Sequence, residues 1–538
     1  MINKIEKIVV VGGGSAGWMS AAFLKKAFPN REIIVIESPN VPTIGVGEST
    51  LGGINHYLNF LEIDELEFMR NSNAVYKMSI KFTDFYKKDD GGFHYPFGKP
   101  FENGISMNTW MIKKGLYSET PIQDFVRCFF PAAPLFENNK FDLNDNEFYD
   151  NYNPELDVAY QFDAIKFAGY LREIYCKRIG VNHIPATIVD VKTNEDGIES
   201  LLLDSGEVIA GDLYIDCTGF KAMLIGEALK QQFVSYEDAL PNNRSWAAQI
   251  PYKNKKLELE GFTNCTAIEN GWVWNTPVWS RLGTGYVYSD KFTTPGDALQ
   301  QFKNHLMSDK MVVPRTKEEL DKIKFRDIQF KIGHFEKTFV KNVVAIGLSA
   351  GFIEPLESNG LFTVHEFLFR LQKVIQRDGV NQIEKDIYNS ITSNMWKGFC
   401  YFVSMHYKFS LRNDTPYWIN CRKRGLTNLD SSDAQISKIE QNTFNGSFNS
   451  NIDGMNWISV GMNYFYMTLI DYQVNTQFKG ASKQHIQEIE ELEKRKLRWT
   501  EFAKNAPGIL EYHQNNIYFD EEKLLEDTTT PITSFGTN

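Results

Sequence analysis

A glycine-rich turn near the N-terminus limits the fold more than any other feature of the chain. The β-branched run Lys7 to Val11 leads into the turn Gly12 to Gly17, and Trp18 to Phe28 has helical character. A second predicted strand, Glu32 to Ile36, is followed directly by the acidic Glu37. This order of strand, glycine turn, helix, strand and acid predicts an α/β unit that binds a dinucleotide.

Each glycine of the turn has a distinct predicted role. Gly12 permits the tight turn, Gly14 lets the backbone approach a pyrophosphate, and Gly17 packs the helix closely on the strand. The helix N-terminus then faces the phosphates, and Glu37 lies about 20 residues on, where an acid binds ribose hydroxyls. A glycine turn without a ligand is the alternative, and the motif alone does not separate FAD from NAD. Because the fingerprint occurs once, we expect no separate NAD(P)H site of this type.

Bulk composition excludes several classes of function. With 538 residues, 42% of them hydrophobic, the chain buries a large core in two or more modules or in one elaborate enzyme domain. A net charge of −11 argues against non-specific nucleic-acid binding. No apolar run is long enough to cross a membrane, and the N-terminus is unlike a signal peptide. Six scattered cysteines without a C-x-x-C pair and nine dispersed histidines predict a reducing, cytoplasmic location and no metal site.

Later segments predict further structure. Ile188 to Ile209 contains two turn signals and predicts a β-meander, and Lys341 to Ile346 predicts a buried strand. An amphipathic helix follows from about Leu361 to Gln376. Thr427 to Asn456, rich in Asn, Ser and Asp, predicts a surface loop or lid. Lys483 to Lys504 predicts a charged helix with i,i+4 pairs and a solvated face rather than a partner site.

Two lysines lie in a segment with strand-like alternation. Val75 to Phe82 places Lys77 and Lys81 on one face of the predicted strand. A lysine in such a position is ordinarily solvated. The alternation of side chains along this strand does not show which of the two lysines is the functional one.

A pair of tryptophans and a helix start are the other notable features. Trp272 and Trp274 lie on the same side of a predicted strand, and their spacing alone favours two ordinary core residues. Ser358 or Asn359 is a good N-cap, which leaves the amides of Asn359 and Gly360 as donors for an anion. An ordinary cap, with the neighbouring Glu357 favouring the helix dipole, is the alternative.

Taken together, these segments resemble the flavin-dependent tryptophan halogenases. The similarity extends from the N-terminus to about residue 425 and weakens afterwards. The departure within the tryptophan motif is mild, with Thr276 where the family usually has Ile. The matching segments are Gly12 to Trp18, Ile44 to Thr50, Asp216 to Gly219, Trp272 to Pro277, Glu354 to Ser358 and Asp414 to Trp418.

The resemblance implies a mechanism. Reduced FAD from a separate flavin reductase, oxygen and a halide ion give hypohalous acid, which reaches Lys77 and forms a haloamine or accepts a hydrogen bond there. Glu357 orients the acid or accepts the ring proton, and Trp272 and Trp274 keep substrate away from the flavin. The implied cofactor contacts are Gly12, Gly14, Ser15, Ala16, Gly17, Glu37, Gly47, Glu48, Ser49, Thr50, Gly347 and Leu348. The implied halide site is Ser358, Asn359 and Gly360, and the implied substrate pocket is Phe97, Trp272, Trp274, Pro355 and Trp457.

The resemblance also implies a fold. We expect an α/β protein with an FAD-binding Rossmann-like module of the glutathione-reductase/monooxygenase type, interleaved with a β-rich substrate region. Residues 1–425 form this core, and residues 426–538 form a mainly helical C-terminal part with a substrate lid. A homodimer is compatible with this organisation.

Departures from the family bear on the substrate. Asn359 stands where the family usually has Thr, so the preference between chloride and bromide is open. Tryptophan-specific members hold the amino acid with a tyrosine pair and a glutamate before a tryptophan; Trp457 matches that tryptophan, but Asn445, Gly446 and Ile452 stand near the other positions. Phe97 matches the family's aromatic sandwich, with the histidine shifted by one. We therefore expect an indole-like or other electron-rich aromatic substrate rather than free tryptophan.

Four alternatives remain at this point. The chain could halogenate free tryptophan, or an aromatic tethered to a carrier protein. It could be a flavin monooxygenase or oxidase that has lost halogenation, with Asn359 as the sign. A non-catalytic flavin-binding sensor or scaffold is the fourth.

Overall fold

The structure is a computed structural model. It describes residues 4–41, 48–89, 91–98, 100–105, 107–143, 150–153, 157–377, 379–424 and 482–519. The predicted cofactor contact Gly47, the predicted lid, and the substrate-anchor positions Asn445, Gly446, Ile452 and Trp457 lie outside these ranges.

Helices and strands alternate along the N-terminal part of the chain, and helices dominate after residue 359. The described helices are α1 (Ser15–Ala27), α2 (Ile54–Phe60), α3 (Glu65–Ser72), α4 (Met107–Leu116), α5 (Asp124–Phe129), α6 (Ala133–Glu137), α7 (Ala164–Tyr170), α8 (Lys255–Glu258), α9 (Pro295–Met307), α10 (Lys317–Leu320), α11 (Asn359–Ile375), α12 (Gln382–Lys408), α13 (Pro416–Arg424), α14 (Lys483–Asn505) and α15 (Ile509–Asn516). The described strands are β1 (Lys7–Val11), β2 (Glu32–Glu37), β3 (Glu48–Ser49), β4 (Val75–Lys77), β5 (Ser79–Thr83), β6 (Gly92–Pro96), β7 (Ala159–Phe162), β8 (Asn182–Pro185), β9 (Ile188–Asn194), β10 (Gly197–Leu203), β11 (Val208–Ile209), β12 (Leu213–Asp216), β13 (Phe233–Ser235), β14 (Arg244–Ile250), β15 (Phe262–Ile268), β16 (Gly271–Val278), β17 (Arg281–Tyr288), β18 (Arg326–Gln329), β19 (Gly333–Phe335), β20 (Phe339–Val340), β21 (Val343–Ala345) and β22 (Gly351–Phe352).

A six-stranded sheet in the order β20-β21-β12-β1-β2-β8 carries the glycine turn. Its strands are parallel except for the β20–β21 pair. The strand order confirms the predicted Rossmann-like α/β module, and both predicted strands of the unit are present. Helix α1 begins at Ser15, three residues before the predicted start, because Gly14 is its N-cap residue.

A second sheet, of seven strands in the order β18-β14-β17-β16-β15-β5-β6, is built from segments that lie between β12 and β21 and from β5 and β6. All its neighbours are antiparallel except β15 and β5. This interleaving agrees with the expected β-rich region inserted into the nucleotide-binding module.

The predicted single strand Val75 to Phe82 is wrong. It is interrupted at Met78, whose amide donates to Gly261 O at 2.8 Å. Strand β4 pairs with β7 in a three-stranded sheet, β3-β7-β4, while β5 belongs to the seven-stranded sheet. Lys77 and Lys81 therefore lie in different sheets.

Three other predictions are corrected only at their boundaries. The meander of β9, β10 and β11 is present, as predicted. Strand β21 is shorter than predicted, since Lys341 takes a left-handed φ of 54° and lies outside it. Helix α11 begins at Asn359 rather than near Leu361.

The charged helix α14 has a buried face as well as a solvated one. Leu492, Arg495 and Trp499 are buried, because this face packs against α4, α5 and α6. The ion pairs within its described residues are spaced i,i+3, and its i,i+4 side-chain contact is the hydrogen bond from Gln484 to Glu488 at 2.9 Å. Asp124 accepts hydrogen bonds from both Lys113 and Lys496 at 2.5 Å, which ties this helix to α4 and α5.

Across the described ranges, every helix is too short or too polar to serve as a membrane span.

Candidate active site

The glycine turn is shaped as the sequence predicts. Gly12 has a φ of 115°, and a Cβ added to it would lie 2.3 Å from Cys217 O. A Cβ on Gly17 would lie 1.8 Å from Gly12 O, so the helix approaches the turn as only glycine allows. No side chain caps α1, and its first turn contains no acidic residue. The positive end of the helix is thus free to bind a phosphate.

A second turn lies against the start of this helix. Gly347 has a φ of 68°, and a Cβ on it would lie 2.7 Å from Ala16 Cβ. Leu348 belongs to the same turn, Gly347–Ser349. By contrast, a Cβ on Gly14 would meet nothing within 4 Å, so space remains beside the backbone there. An uncapped helix start with adjacent free space fits the pyrophosphate of FAD.

Glu37 has protein partners that the sequence did not predict. Its carboxylate lies 3.3 Å from Arg172 Nη1 and 3.1 Å from His183 Nε2. Burial raises the pKa of Glu37, but the His183 hydrogen bond and the Arg172 charge outweigh burial and lower it overall. The carboxylate is therefore held ionised at the end of β2, in the position expected for a ribose contact.

Strand β3 connects the flavin module to the β-rich region. Burial and the Asp163 carboxylate raise the pKa of Glu48 to about 7. The hydroxyl of Thr50 donates to Tyr160 O at 2.9 Å, and Ser49 Oγ lies 2.6 Å from Thr263 Oγ1. The hydroxyls of these predicted cofactor contacts are therefore engaged within the protein.

Lys77 is fully buried, against the ordinary expectation for a lysine in a strand. Its Nζ donates to Thr50 O at 2.9 Å and to Ser358 Oγ at 3.0 Å, and lies 4.9 Å from the centre of the Phe97 ring. Burial lowers the pKa of Lys77 to about 7, against the opposing effects of Cys265 and Glu357. The amine therefore titrates near neutral pH.

Lys81 has a different environment. It is partly exposed, and its Nζ lies 5.8 Å from the centre of the Phe262 ring. Of the two lysines that the sequence left open, only Lys77 joins Ser358 and Phe97.

Glu357 is paired with a histidine from helix α12. Its Oε1 lies 2.7 Å from His406 Nε2, and both side chains are buried. His406 Nδ1 faces the carbonyls of Phe402 and Val403 at 3.2 Å, so Nδ1 carries a proton. The other ring nitrogen, Nε2, faces the Glu357 carboxyl. Burial raises the pKa of Glu357, although the His406 hydrogen bond and charge oppose this.

The start of α11 differs from the predicted cap. Ser358 is the N-cap residue but has a left-handed φ of 55°, and its hydroxyl makes no capping hydrogen bond. The hydroxyl contacts Lys77 and Ser49 instead. The first amides of the helix, which include those of Asn359 and Gly360, therefore lack a side-chain cap. The Nδ2 of Asn359 is also buried and has no hydrogen-bond partner among the described residues.

The two tryptophans lie side by side in β16. Their ring centres are 6.1 Å apart, which confirms that they share one face of the strand. The indole N–H of Trp272 donates to Glu354 Oε2 at 2.8 Å, and that oxygen also accepts from Asn242 Nδ2 and Tyr407 OH. Trp272 is therefore fixed by a buried hydrogen-bond network and not by packing alone.

The other predicted pocket residues differ in how far they are buried. Phe97 is half-buried beside Lys77, and Pro355 is exposed at the start of the turn that carries Glu357. His94 stacks on Phe136 with ring centres 4.7 Å apart and contacts Ser79 Oγ at 2.9 Å. The aromatic sandwich stays a prediction.

Sequence reasoning missed His406, Asn242 and Tyr407. They come from α12 and from the loop before β14, and no local motif marks them. Within the described ranges, no group of three or more potential metal ligands occurs.

Comparison with known proteins identifies the family. The family model described as tryptophan halogenase matches residues 7–468. The chain belongs to the tryptophan halogenase family.

Individual relatives agree with this assignment. Tryptophan 6-halogenase ThaL of Streptomyces albogriseolus is 33% identical over 457 residues, which cover 82% of each chain. The VirX1 apo structure superimposes with a TM-score of 0.87 at 35% identity, covering 96% of this halogenase and 100% of that chain. The crystal structure of the tryptophan 6-halogenase SttH from Streptomyces toxytricini has a TM-score of 0.80 at 30% identity, covering 94% and 99%. The protein is thus a flavin-dependent halogenase, an oxidoreductase that uses reduced flavin.

The shape of the glycine turn generates a prediction for flavin binding. We expect Gly17→Ala to weaken FAD binding at least about tenfold, because the new methyl group would collide with Gly12 O and displace α1. Titration of the apoprotein with FAD, followed by flavin fluorescence, measures the affinity. Gly169→Ala, in a helix where a Cβ meets nothing within 4 Å, is the control. Equal affinity of the two variants would contradict the assignment of this turn to the cofactor.

Proposed function

We propose that this halogenase uses reduced FAD, oxygen and chloride or bromide to halogenate a small, electron-rich, indole-like aromatic through hypohalous acid and Lys77. The observation that supports it most is the buried Lys77 amine, with a pKa near 7, beside an aromatic ring. The same amine is joined to Ser358, one residue from the carboxylate of Glu357.

The flavin site follows from the two turns at the start of α1. The residues that would hold FAD are Gly12, Gly14, Ala16 and Gly17 around the pyrophosphate, with Gly347 across from them. When bound, reduced flavin from a separate reductase supplies, with oxygen and halide, the hypohalous acid. The reductase is a transient partner that delivers its product by diffusion.

The start of α11 is the proposed halide site. Uncapped amides at a helix N-terminus favour an anion. The buried Nδ2 of Asn359, without a partner among the described residues, offers a side-chain donor in addition to these amides. A buried donor without an acceptor is costly, and a halide would satisfy it.

Lys77 is suited to either proposed role. Near neutral pH an amine with a pKa of about 7 is present both as neutral amine and as ammonium. The neutral form attacks the halogen of hypohalous acid: the N–halogen bond forms as the O–halogen bond breaks, and the released hydroxide takes an amine proton and leaves as water. The ammonium instead donates a directed hydrogen bond to the oxygen of the acid. Both forms deliver the halogen beside the Phe97 ring.

Glu357 is the proposed proton acceptor. Attack of an aromatic carbon on the halogen leaves a cationic ring, which a nearby carboxylate stabilises. His406, whose Nε2 lies 2.7 Å from Glu357 Oε1, opposes the effect of burial on the pKa of Glu357 and so favours the carboxylate form that accepts the ring proton. Trp272, fixed by Glu354, is the proposed wall between this chemistry and the flavin.

The substrate assignment rests on the positions that would hold the charged amino-acid groups of tryptophan. ThaL is a tryptophan 6-halogenase, so free tryptophan is the second candidate for this chain. The indole-like aromatic is favoured because Asn445, Gly446 and Ile452 stand near the positions of the tyrosine pair and the glutamate, and none of them supplies a carboxylate for the ammonium group of tryptophan. A carrier-bound aromatic remains a further candidate.

The family assignment favours catalysis over a sensor or scaffold, and hydroxylation without halide would be the sign of the monooxygenase hypothesis. The cytoplasmic location, the homodimer and the C-terminal lid stay predictions.

The central role of Lys77 is tested by replacement. We expect Lys77→Ala to lower the halogenation rate by roughly 10²–10⁴-fold, since the group that presents the halogen is lost. FAD affinity should be unchanged. Product formation is measured by mass spectrometry, with Lys81→Ala as the control that keeps its activity. Retained turnover in Lys77→Ala together with loss in Lys81→Ala would reverse the assignment.

The proposed halide contact is tested at Asn359. We expect Asn359→Leu to raise the bromide or chloride concentration that gives half-maximal rate by about tenfold, because the side-chain hydrogen-bond donor is lost while the shape of the side chain is nearly kept. Rates measured across a series of both halides give this value and their ratio. An unchanged halide dependence for both ions would show that the Asn359 side chain does not contact the halide.

A further inference from the structure

A continuous chain of side-chain hydrogen bonds leads away from Lys77. Lys77 Nζ contacts Ser358 Oγ at 3.0 Å, Ser358 Oγ contacts Ser49 Oγ at 3.0 Å, and Ser49 Oγ contacts Thr263 Oγ1 at 2.6 Å. Thr263 Oγ1 contacts Gln161 Oε1 at 3.0 Å. The chain ends where Gln161 Nε2 donates to the backbone carbonyl of Glu260 at 3.1 Å. Its members come from five separate segments that the fold brings together.

The far end fixes the direction of every hydrogen bond in this chain. The Glu260 carbonyl only accepts, so the amide NH₂ of Gln161 must face it. The carbonyl oxygen of Gln161 then faces Thr263, whose single proton must point to it.

Because each hydroxyl has a single proton to donate, the directions of the remaining hydrogen bonds, from Thr263 back to Lys77, are also fixed. Because the Thr263 proton is committed to Gln161, Ser49 must donate to Thr263, and Ser358 must donate to Ser49. The hydroxyl of Ser358 therefore presents only a lone pair to Lys77, and Lys77 must be the donor.

Because Lys77 is the donor in this hydrogen bond, few positions around its Nζ remain free. Two tetrahedral positions of Nζ carry protons donated to Thr50 O and Ser358 Oγ. One position remains, a lone pair in the neutral amine or an N–H in the ammonium. The Phe97 ring lies 4.9 Å from Nζ. A chain that ends in an amide cannot deliver a proton to Lys77, so it orients the amine and does not relay protons.

We propose that Thr263, Ser49 and Gln161 are positioning residues that act on Lys77 through Ser358. They keep Lys77 a hydrogen-bond donor to Ser358, and so direct the one remaining position of its Nζ toward the pocket beside the Phe97 ring. This inference rests on the proposed function, since it assigns the reactive position to contact with hypohalous acid. Gln161 and Thr263 are buried and lie outside the motifs that carry the family resemblance.

The test is Thr263→Val, which removes the hydroxyl while keeping the shape of the side chain. We expect the rate of product halogenation to fall by about tenfold, with unchanged FAD affinity and unchanged KM for substrate. Because hypohalous acid still forms but is captured less often, halogenation of a diffusible trap such as monochlorodimedone should rise. Thr263→Ser should restore both values. Thr266→Val, the same change at an equally buried position of β15, is the matched control.

The pH profile gives a second readout. The chain accepts a hydrogen bond from Lys77 and so favours the ammonium, and its loss should lower the pKa of Lys77 further. In a plot of halogenation rate against pH, the limb that reports the titration of Lys77 should move to lower pH in Thr263→Val. This holds whichever form of the amine reacts. The other titratable groups around the chain stay unchanged in this variant: Cys265 and Glu357 facing Lys77, His406 beyond Glu357, Glu48 beside Ser49, and the side chain of Glu260.

Three outcomes contradict the proposal. Wild-type product formation in Thr263→Val, with no added trap halogenation, would show that Lys77 is oriented by other contacts. Equal loss of product and of trap halogenation, with weakened FAD binding, would make Thr263 a structural residue only. A wild-type protein that forms neither product nor free hypohalous acid would overturn the proposed function, and this inference with it.

Discussion

The burial of the Lys77 amine imposes a requirement that the surrounding structure meets. An amine removed from water must donate its protons to protein acceptors, or burial costs several kcal/mol. Here the acceptors are a backbone carbonyl from the segment after β3 and a hydroxyl from the turn before α11. Thr50 follows β3, which shares the sheet β3-β7-β4 with the strand of Lys77, whereas Ser358 directly precedes α11. The amine therefore joins this small sheet to the start of α11, where the proposed halide site lies.

The turn before α11 serves several needs at once. Its Ser358 adopts a left-handed conformation, which turns the hydroxyl away from the helix start and toward Lys77. The same conformation leaves the first amides of the helix without a side-chain cap and hence able to bind an anion. Glu357, one residue earlier, is held against His406, and Glu354 is held against Trp272. A short segment thus places the proposed halide site, proton acceptor and dividing wall relative to one another.

Local rules explain which features the sequence predicts correctly. The glycine turn is predictable because its requirements are local: Gly12 takes a left-handed φ of 115°, and Gly17 approaches Gly12 O within the same βαβ unit. The close approach of Gly12 to Cys217 O is a tertiary contact that spacing does not show. The choice of Lys77 over Lys81 is not predictable from period, because the break at Met78 depends on a hydrogen bond to Gly261, far away in the chain. His406 gives no sequence signal, since its partner Glu357 lies in another element and only tertiary packing joins them. The family resemblance supplied roles for Lys77 and Glu357 that composition and spacing do not give.

The central claim is that this family member halogenates an indole-like aromatic and does not depend on an amino-acid anchor. The most direct measurement is mass spectrometry of products from purified protein, FAD, a generic flavin reductase, NADH and oxygen, with indole and tryptophan supplied together and either chloride or bromide. The account predicts a halogen isotope pattern on indole in clear excess over tryptophan. Halogenated tryptophan beside unmodified indole would contradict the substrate assignment, and hydroxylated products without halogen would contradict the proposed chemistry.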